Sequence, residues 1–233
     1  MIALCGVVIF LSCHKSNRST SSAAGCKLTG IHVKGNGWEG NYVISYNGDG
    51  KLAAVQYADN GSSYTRNFTY SGNMIISTTV SGPTFIDTVF LGVNGDVDHI
   101  VMYSSNSGAT DSFSYDGNRQ LAKSVFTPTG GGATTSTYQY DNGDLVTADQ
   151  TNLHIAYTYY TDKASAAGDL LALGQWVQYG TIYEKSRHLT KSETSGNVTL
   201  NITYEFDAQG KITSATEISG SETTTFTYTY TCS

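Results

Sequence analysis

Leu200-Asn201-Ile202-Thr203-Tyr204-Glu205-Phe206-Asp207-Ala208-Gln209-Gly210-Lys211-Ile212 decides the fold class. Its first half alternates apolar and polar residues with a period of two, the pattern of a strand that buries one face and wets the other. Its second half places Asp207 and Gly210 where a tight hairpin demands residues that tolerate positive φ. A strand that runs straight into such a turn predicts an antiparallel hairpin.

The same turn recurs along the chain. Copies of equal length are Tyr46 to Leu52, Leu91 to Val97 and Tyr115 to Leu121, and shorter ones are Tyr70 to Ile75 and Tyr140 to Leu145. From residue 46 to residue 140 they are spaced by roughly 21 to 25 residues, the length of two strands and two turns. Alternating runs precede them, as in Phe68-Thr69-Tyr70, Phe113-Ser114-Tyr115 and Tyr138-Gln139-Tyr140, and Phe226-Thr227-Tyr228-Thr229-Tyr230 repeats the alternation near the end. Turns for the opposite end fall at Asp59-Asn60-Gly61, Ser81-Gly82-Pro83, Ser105 to Gly108, Thr129 to Gly132, Ser195-Gly196-Asn197 and Ser219-Gly220-Ser221. The expected fold is all-β: a large curved antiparallel up-and-down meander of about 14–16 short strands with one helix-containing insertion.

Composition agrees with a folded chain. The 233 residues are 39% hydrophobic and 12% aromatic, with 17 Tyr and only 2 Pro. Lys and Arg number 13 against 19 Asp and Glu, for a net charge of −6. That balance excludes a nucleic-acid footprint and an anionic-membrane patch.

Residues 1–12, MIALCGVVIFLS, are uncharged and too short to span a bilayer as a lone helix. Phe10-Leu11-Ser12-Cys13 resembles a bacterial lipobox, in which the Cys13 thiol is acylated and becomes the first residue after cleavage. No Lys or Arg precedes the apolar run, which departs from a complete signal peptide. A buried N-terminal strand is the competing reading, but the polar stretch rich in Ser, Thr and Ala that follows reads as a tether. The expected division is therefore a lipoprotein signal peptide at 1–12, a lipidated flexible tether at 13–25, and a single β-meander domain at 26–233 whose insertion spans 161–187. The anchor at Cys13 makes a membrane the first expected partner, and the bacterial outer membrane the expected location.

Cleavage would leave two of the four cysteines, Cys26 at the start of the folded region and Cys232 next to its end. In an oxidising compartment the two would close the first strand onto the last; the alternative is a pair of separate thiols. No CxxC spacing or neighbouring His supports a metal or catalytic role for them.

The Tyr-Asp-x-x-Gly turns resemble the hairpins of Rhs-type YD repeats. Together with the lipobox and the early and final cysteines, the chain is similar over about residues 26–232 to Gram-negative envelope lipoproteins described as a domain of unknown function with a porin-like fold. That resemblance implies a large curved antiparallel sheet and no assigned activity. A pore is not expected, because transmembrane strands need about 9 to 11 residues and an outward apolar band, whereas these read as shorter and carry Thr and Ser faces.

Residues 161–187 break the hairpin rhythm. A helix is expected over Ala164 to Leu173, capped by Asp162 and Gly174, with Leu170, Leu171 and Leu173 covering one end of the sheet as a plug. Trp176, Tyr179 and Tyr183, with Tyr159 and Tyr160 nearby, are the candidate ligand platform for a glycan or protein; the competing reading makes them the apolar payload of the plug.

No nucleophile elbow, Walker, HExxH, EF-hand or dinucleotide motif is present, and no cofactor or metal is expected. In Asp96-Val97-Asp98-His99 the two carboxylates share one face and His99 the other, so three ligands do not converge. His32, His154 and His188 read as surface or rim residues. Glu184, Glu193, Glu205 and Glu217 are the available carboxylates for hydrolysis, with nothing to single out two. The expected function is a non-catalytic binding or structural domain of the cell envelope, the alternatives being a glycan-binding module and a hydrolase assembled from distant strands.

Overall fold

The computed structural model describes residues 25–80, 84–104 and 107–232. The expected signal peptide and the Cys13 lipidation site lie outside the described residues.

Sixteen strands follow one another: β1 (Cys26–Gly35), β2 (Trp38–Tyr46), β3 (Leu52–Asp59), β4 (Ser63–Ser71), β5 (Met74–Val80), β6 (Phe85–Leu91), β7 (Val97–Ser104) and β8 (Ser107–Tyr115). The second half comprises β9 (Leu121–Pro128), β10 (Thr134–Asp141), β11 (Asp144–Gln150), β12 (Leu153–Ala164), helix α1 (Leu170–Tyr179), β13 (His188–Ser195), β14 (Val198–Phe206), β15 (Ile212–Ser219) and β16 (Glu222–Cys232). Each strand pairs antiparallel with its sequence neighbours, and β1 pairs with β16, so the meander closes into a barrel. Closure removes both sheet edges. The seam runs from Cys26 opposite Cys232 to Lys34 opposite Thr225, and the expected disulfide joins Cys26 to Cys232 at its end.

The repeated turn has one geometry. In three copies the Asx carboxyl or amide oxygen accepts two backbone N–H groups: Asn47 from Asp49 and Lys51, Asp116 from Asn118 and Gln120, and Asp207 from Gln209 and Lys211. The fourth turn residue has positive φ, at Gly50, Gly95, Gly210 and, without glycine, at Arg119 (φ 62°). Arg119 donates to Asp96 and to the Asn94 carbonyl, both at 2.7 Å, which helps hold it there. Register shifts fall at the aromatic residue that opens the motif, at Tyr46, Tyr115, Tyr140 and Phe206, as expected of bulges at a barrel rim.

Strand lengths run from 7 residues in β5 to 12 in β12, with 11 in β16, so several strands are longer than the sequence led us to expect. On β14 and β16 the outward face is what the sequence indicated, whereas β5, β6 and β7 turn Ile76, Val80, Ile86, Phe90 and Val101 outward. On β14, Ile202 is buried and Tyr204 half-buried, while Asn201, Thr203 and Glu205 face solvent. On β16 the outward row is Thr225, Thr227, Thr229 and Thr231, paired across the seam with Lys34, His32, Gly30 and Lys27.

The interior has a polarity gradient. Toward the end that carries both cysteines, the inward residues are apolar: Leu28, Ile44, Leu52, Phe68, Ile75, Phe113, Leu121 and Ile212 are all buried. Each such side chain contributes about 1.5–3 kcal/mol by leaving water. Toward the far end charged residues, Arg66, Asp87, Asp111, Glu193 and Glu217, join inward apolar and aromatic ones such as Val33, Tyr42, Phe85 and Phe126.

The insertion enters at the cysteine end and packs into it, with a cavity of about 330 Å³ left between Trp176, Tyr46 and Cys26. A backbone bond from Ser165 N–H to the Arg187 carbonyl (2.9 Å) closes its base. The helix differs from the expectation of Ala164 to Leu173 capped by Asp162 and Gly174. Ala164 belongs to β12, because pairing with β13 resumes at Ala164 opposite His188, and Asp162 stays exposed. The chain turns at Gly168 (φ 98°), Asp169 becomes the N-cap and Gly180 (φ 72°) the C-cap, with Gly180 N–H on the Trp176 carbonyl. Gly174 lies inside the helix. Asp169 gives its carboxylate not to the helix end but to Ser165 (3.0 Å) and Tyr204 (3.3 Å).

Tyrosine hydroxyls pin the plug. Tyr228 donates to the Gly168 carbonyl at 2.9 Å and Tyr230 to the Ala167 carbonyl at 3.1 Å. Leu173 joins the core, and Trp176, Val177, Tyr179 and Tyr183 pack against it half-buried. The plug reading of the insertion thus describes its packing.

Candidate functional site

The inner surface of the plug faces the barrel interior. Arg66 on β4 reaches this surface: its Nη1 donates to Asp87 Oδ2 (2.8 Å) on β6, to Ser77 Oγ (3.0 Å) on β5 and to the Gln178 carbonyl (2.9 Å) of α1. Ser77 also donates to that carbonyl at 3.0 Å. The ion pair is largely buried, with side chains 15% and 8% exposed. Burial pushes the Asp87 carboxyl up, against the opposing pull of Arg66.

A second group sits on the adjacent surface. Glu184 accepts from Gln175 Nε2 at 2.9 Å. Burial is the main reason its carboxyl rises to about 7, and the nearby Glu193 and Asp111 charges push the same way. Burial also raises Asp111 to about 6, Glu193 and Glu217. Tyr138, pushed up to about 12 by burial, remains a hydroxyl donor at neutral pH. Asp111 Oδ1 and the Tyr140 hydroxyl are buried without a hydrogen-bond partner among the described residues.

The barrel interior therefore gathers three of the four glutamates that the sequence offered, Glu184, Glu193 and Glu217, whereas Glu205 points outward and accepts from Ser214. The candidate platform is divided. Trp176 lies 6.3 Å from Tyr46 and lines a cavity of about 330 Å³ at the cysteine end. Tyr179 and Tyr183 lie 6.0 Å apart, and Tyr183 packs 4.7 Å from Phe113.

The histidines find carboxylates that the linear sequence did not pair. His188 Nδ1 is 2.7 Å from Asp144 Oδ2 and His154 Nδ1 is 2.5 Å from Asp149, while His32 meets Asn41 at 2.9 Å. His188 is only 16% exposed, so it is not a surface residue. Ser186, two residues away, donates to Tyr159 and accepts from Leu145 N–H, so the His188–Asp144 pair has no serine joined to it in a nucleophilic triad. His99 stacks on Phe90 at 4.3 Å and meets Asp98 at 2.7 Å, while Asp96 turns to Arg119 and Lys185. Among the described residues no three His, Cys, Asp or Glu side chains form a metal-binding group.

Sequence reasoning missed Arg66 and Asp87. The signal was present: each occupies an inward position of an alternating strand, Arg66 two before Phe68 and Asp87 two before Val89, and a charge on the apolar face demands a partner.

The chain is similar in structure to a porin-like protein from Bacteroides uniformis ATCC 8492, with a TM-score of 0.69, 17% identity, and 88% of this chain and 98% of that one covered. A porin-like protein from Bacteroides vulgatus ATCC 8482 aligns over the same shares with a TM-score of 0.47 and 12% identity. No protein-family model matches the chain, and neither does any curated protein. The likeness is one of fold: a porin-like antiparallel barrel.

Proposed function

We propose that the chain is a lipid-anchored envelope protein whose barrel works as a non-catalytic binding cup and not as a pore. The observation that carries this reading is the plug. Residues 165–187 pack into the cysteine end of the lumen and are tied to the wall through Gly168, Asp169 and Gln178, so a solute entering the open end meets a floor.

Two further features support it. The outward faces of β4 and β16 are rows of Thr, Ser and Asn, and that of β14 is Thr199, Asn201, Thr203 and Glu205, whereas a lipid-facing barrel needs an apolar band about 25 Å tall. The chain enters the barrel at Cys26, on the plugged end, so a tether from Cys13 would hold that end toward the membrane and leave the mouth accessible. No described helix is long and apolar enough to cross a membrane.

The test has two arms. Purified protein added to planar bilayers should give no conductance steps, and Cys13→Ala should move the protein from the membrane fraction to the soluble fraction. Steady single-channel conductance would overturn the cup reading, and an unmodified Cys13 in membrane-bound protein would overturn the anchor.

A further inference from the structure

At the open end Arg66, Asp87 and Gln178 form the base of a cavity of about 470 Å³, with Phe85, Met102 and Phe126 among its walls. The three hydrogen bonds of the guanidinium all fall on Nη1. Nε and Nη2 have no partner among the described residues, although the side chain is only 15% exposed. Neither nitrogen is among the buried atoms left without a partner, so the edge opens to the solvent of the cavity and is free to meet a ligand. Asp87, Ser77 and the Gln178 carbonyl hold the group by its other nitrogen, so that edge is already oriented.

Two in-plane N–H donors match two oxygens side by side, in a carboxylate or in neighbouring hydroxyls. Charge decides between them. Asp87 already balances Arg66, the only cation among the described residues lining the cavity, and Asp111, Glu193 and Glu217 share the same interior. An entering anion meets net repulsion in a medium of low dielectric, whereas a neutral diol does not. Phe85 and Phe126 are 43% and 37% exposed, large aromatic surface for positions on an inward face. Aromatic faces of this kind are suited to packing against the C–H face of a ring.

We propose that this cavity is a subsite for a neutral saccharide, with Arg66 donating through Nε and Nη2 to adjacent hydroxyls and Phe85 and Phe126 packing against the sugar ring. Asp87 is a positioning residue that fixes the guanidinium. The assignment rests on the binding-cup reading and names its ligand class.

Calorimetric titration of the full chain with a panel of neutral α- and β-linked disaccharides and pentasaccharides tests it, with 3-phenylpropionate as the anionic probe and spermidine as the cationic one. At least one saccharide should bind and both charged probes should not. The double variant Arg66→Met, Asp87→Asn removes both charges together and leaves no buried carboxylate unpaired; it should weaken saccharide binding by about tenfold or more, and Phe126→Ala by about fivefold. Circular dichroism of each variant confirms that the barrel is intact, and Phe126→Ala keeps the test valid if the double variant fails to fold. Binding of a charged probe without any saccharide overturns the ligand class and leaves the cup standing. Saccharide binding unchanged by the variants overturns the location. Binding of none of the probes overturns the ligand class and the cup reading together, while bilayer conductance overturns the cup by a separate measurement.

Discussion

Gln175 Nε2 donates to Glu184 Oε2 at 2.9 Å, while Gln175 Oε1 accepts the backbone N–H groups of Tyr183 and Glu184 at 2.9 and 3.1 Å. One side chain thereby joins the helix of the plug to the segment that leads back to the wall. It also fixes a carboxyl group beside Glu193 and Asp111 in a setting where burial favours its neutral form.

This makes the plug sensitive to pH. Glu184 rises from 4.5 to about 7 in the folded protein, so the folded state holds its proton more tightly than the unfolded chain. Its stabilising contribution is fully present below the unfolded value and is lost as pH rises through the folded one. Urea unfolding at pH 4.5 and pH 8 should show a loss on the order of 3 kcal/mol from this group, with Asp111, Glu193 and Glu217 adding in the same direction. Glu184→Gln should flatten the dependence; an unchanged slope would mean that Glu184 ionises freely in the fold.

The Arg66–Asp87 pair gives a second test. Arg66→Ala leaves a carboxylate that is 8% exposed without its partner, and such losses run to about 3–5 kcal/mol. Arg66→Met combined with Asp87→Asn should be less destabilising than Arg66→Ala, because no buried charge is left uncompensated. Additive losses in a double-mutant cycle would contradict the coupling.

Two glycines of the plug should respond in opposite directions. Gly174 sits inside α1 with nothing within 4 Å of where a Cβ would stand, so Gly174→Ala should stabilise by about 0.5–1 kcal/mol through helix propensity. Gly180 has φ 72° and a Cβ there would approach Phe68 to 3.1 Å and Ile75 to 3.3 Å. Gly180→Ala should therefore cost more than about 1 kcal/mol. Thermal unfolding of both variants decides it.

The disulfide closes the seam across 206 residues of sequence. Replacing both cysteines by serine should lower stability by at most about 5 kcal/mol, with the barrel still closed because the β1–β16 pairing extends to Lys34 opposite Thr225. Circular dichroism retaining its strand signal alongside a reduced unfolding free energy is the expected result.

Trp176→Ala separates packing from ligand contact. Trp176 is half-buried against the core and Tyr46, so the variant should lose about 2–4 kcal/mol. An unchanged melting temperature would place the indole outside the packing of the plug.

Much of this architecture is local in origin. Alternation in Leu200 to Phe206 sets which face of β14 is buried, and the Asx and Gly residues of each turn set where each strand stops, because hairpin geometry depends only on residues within a few positions of one another. The Thr-rich outward rows and the break at 161–187 were legible for the same reason. The helix was displaced because its boundaries answer to distant partners: β13 pairing keeps Ala164 extended, and Tyr204 and Tyr228 claim Asp169 and Gly168. Closure of the sheet was likewise undetermined locally, since it depends on strand twist and tilt summed over sixteen strands. The site lies furthest from the sequence. Arg66, Asp87 and Gln178 come from three elements up to 112 positions apart, and only a closed barrel with its plug inside brings their charges and carbonyl to one floor.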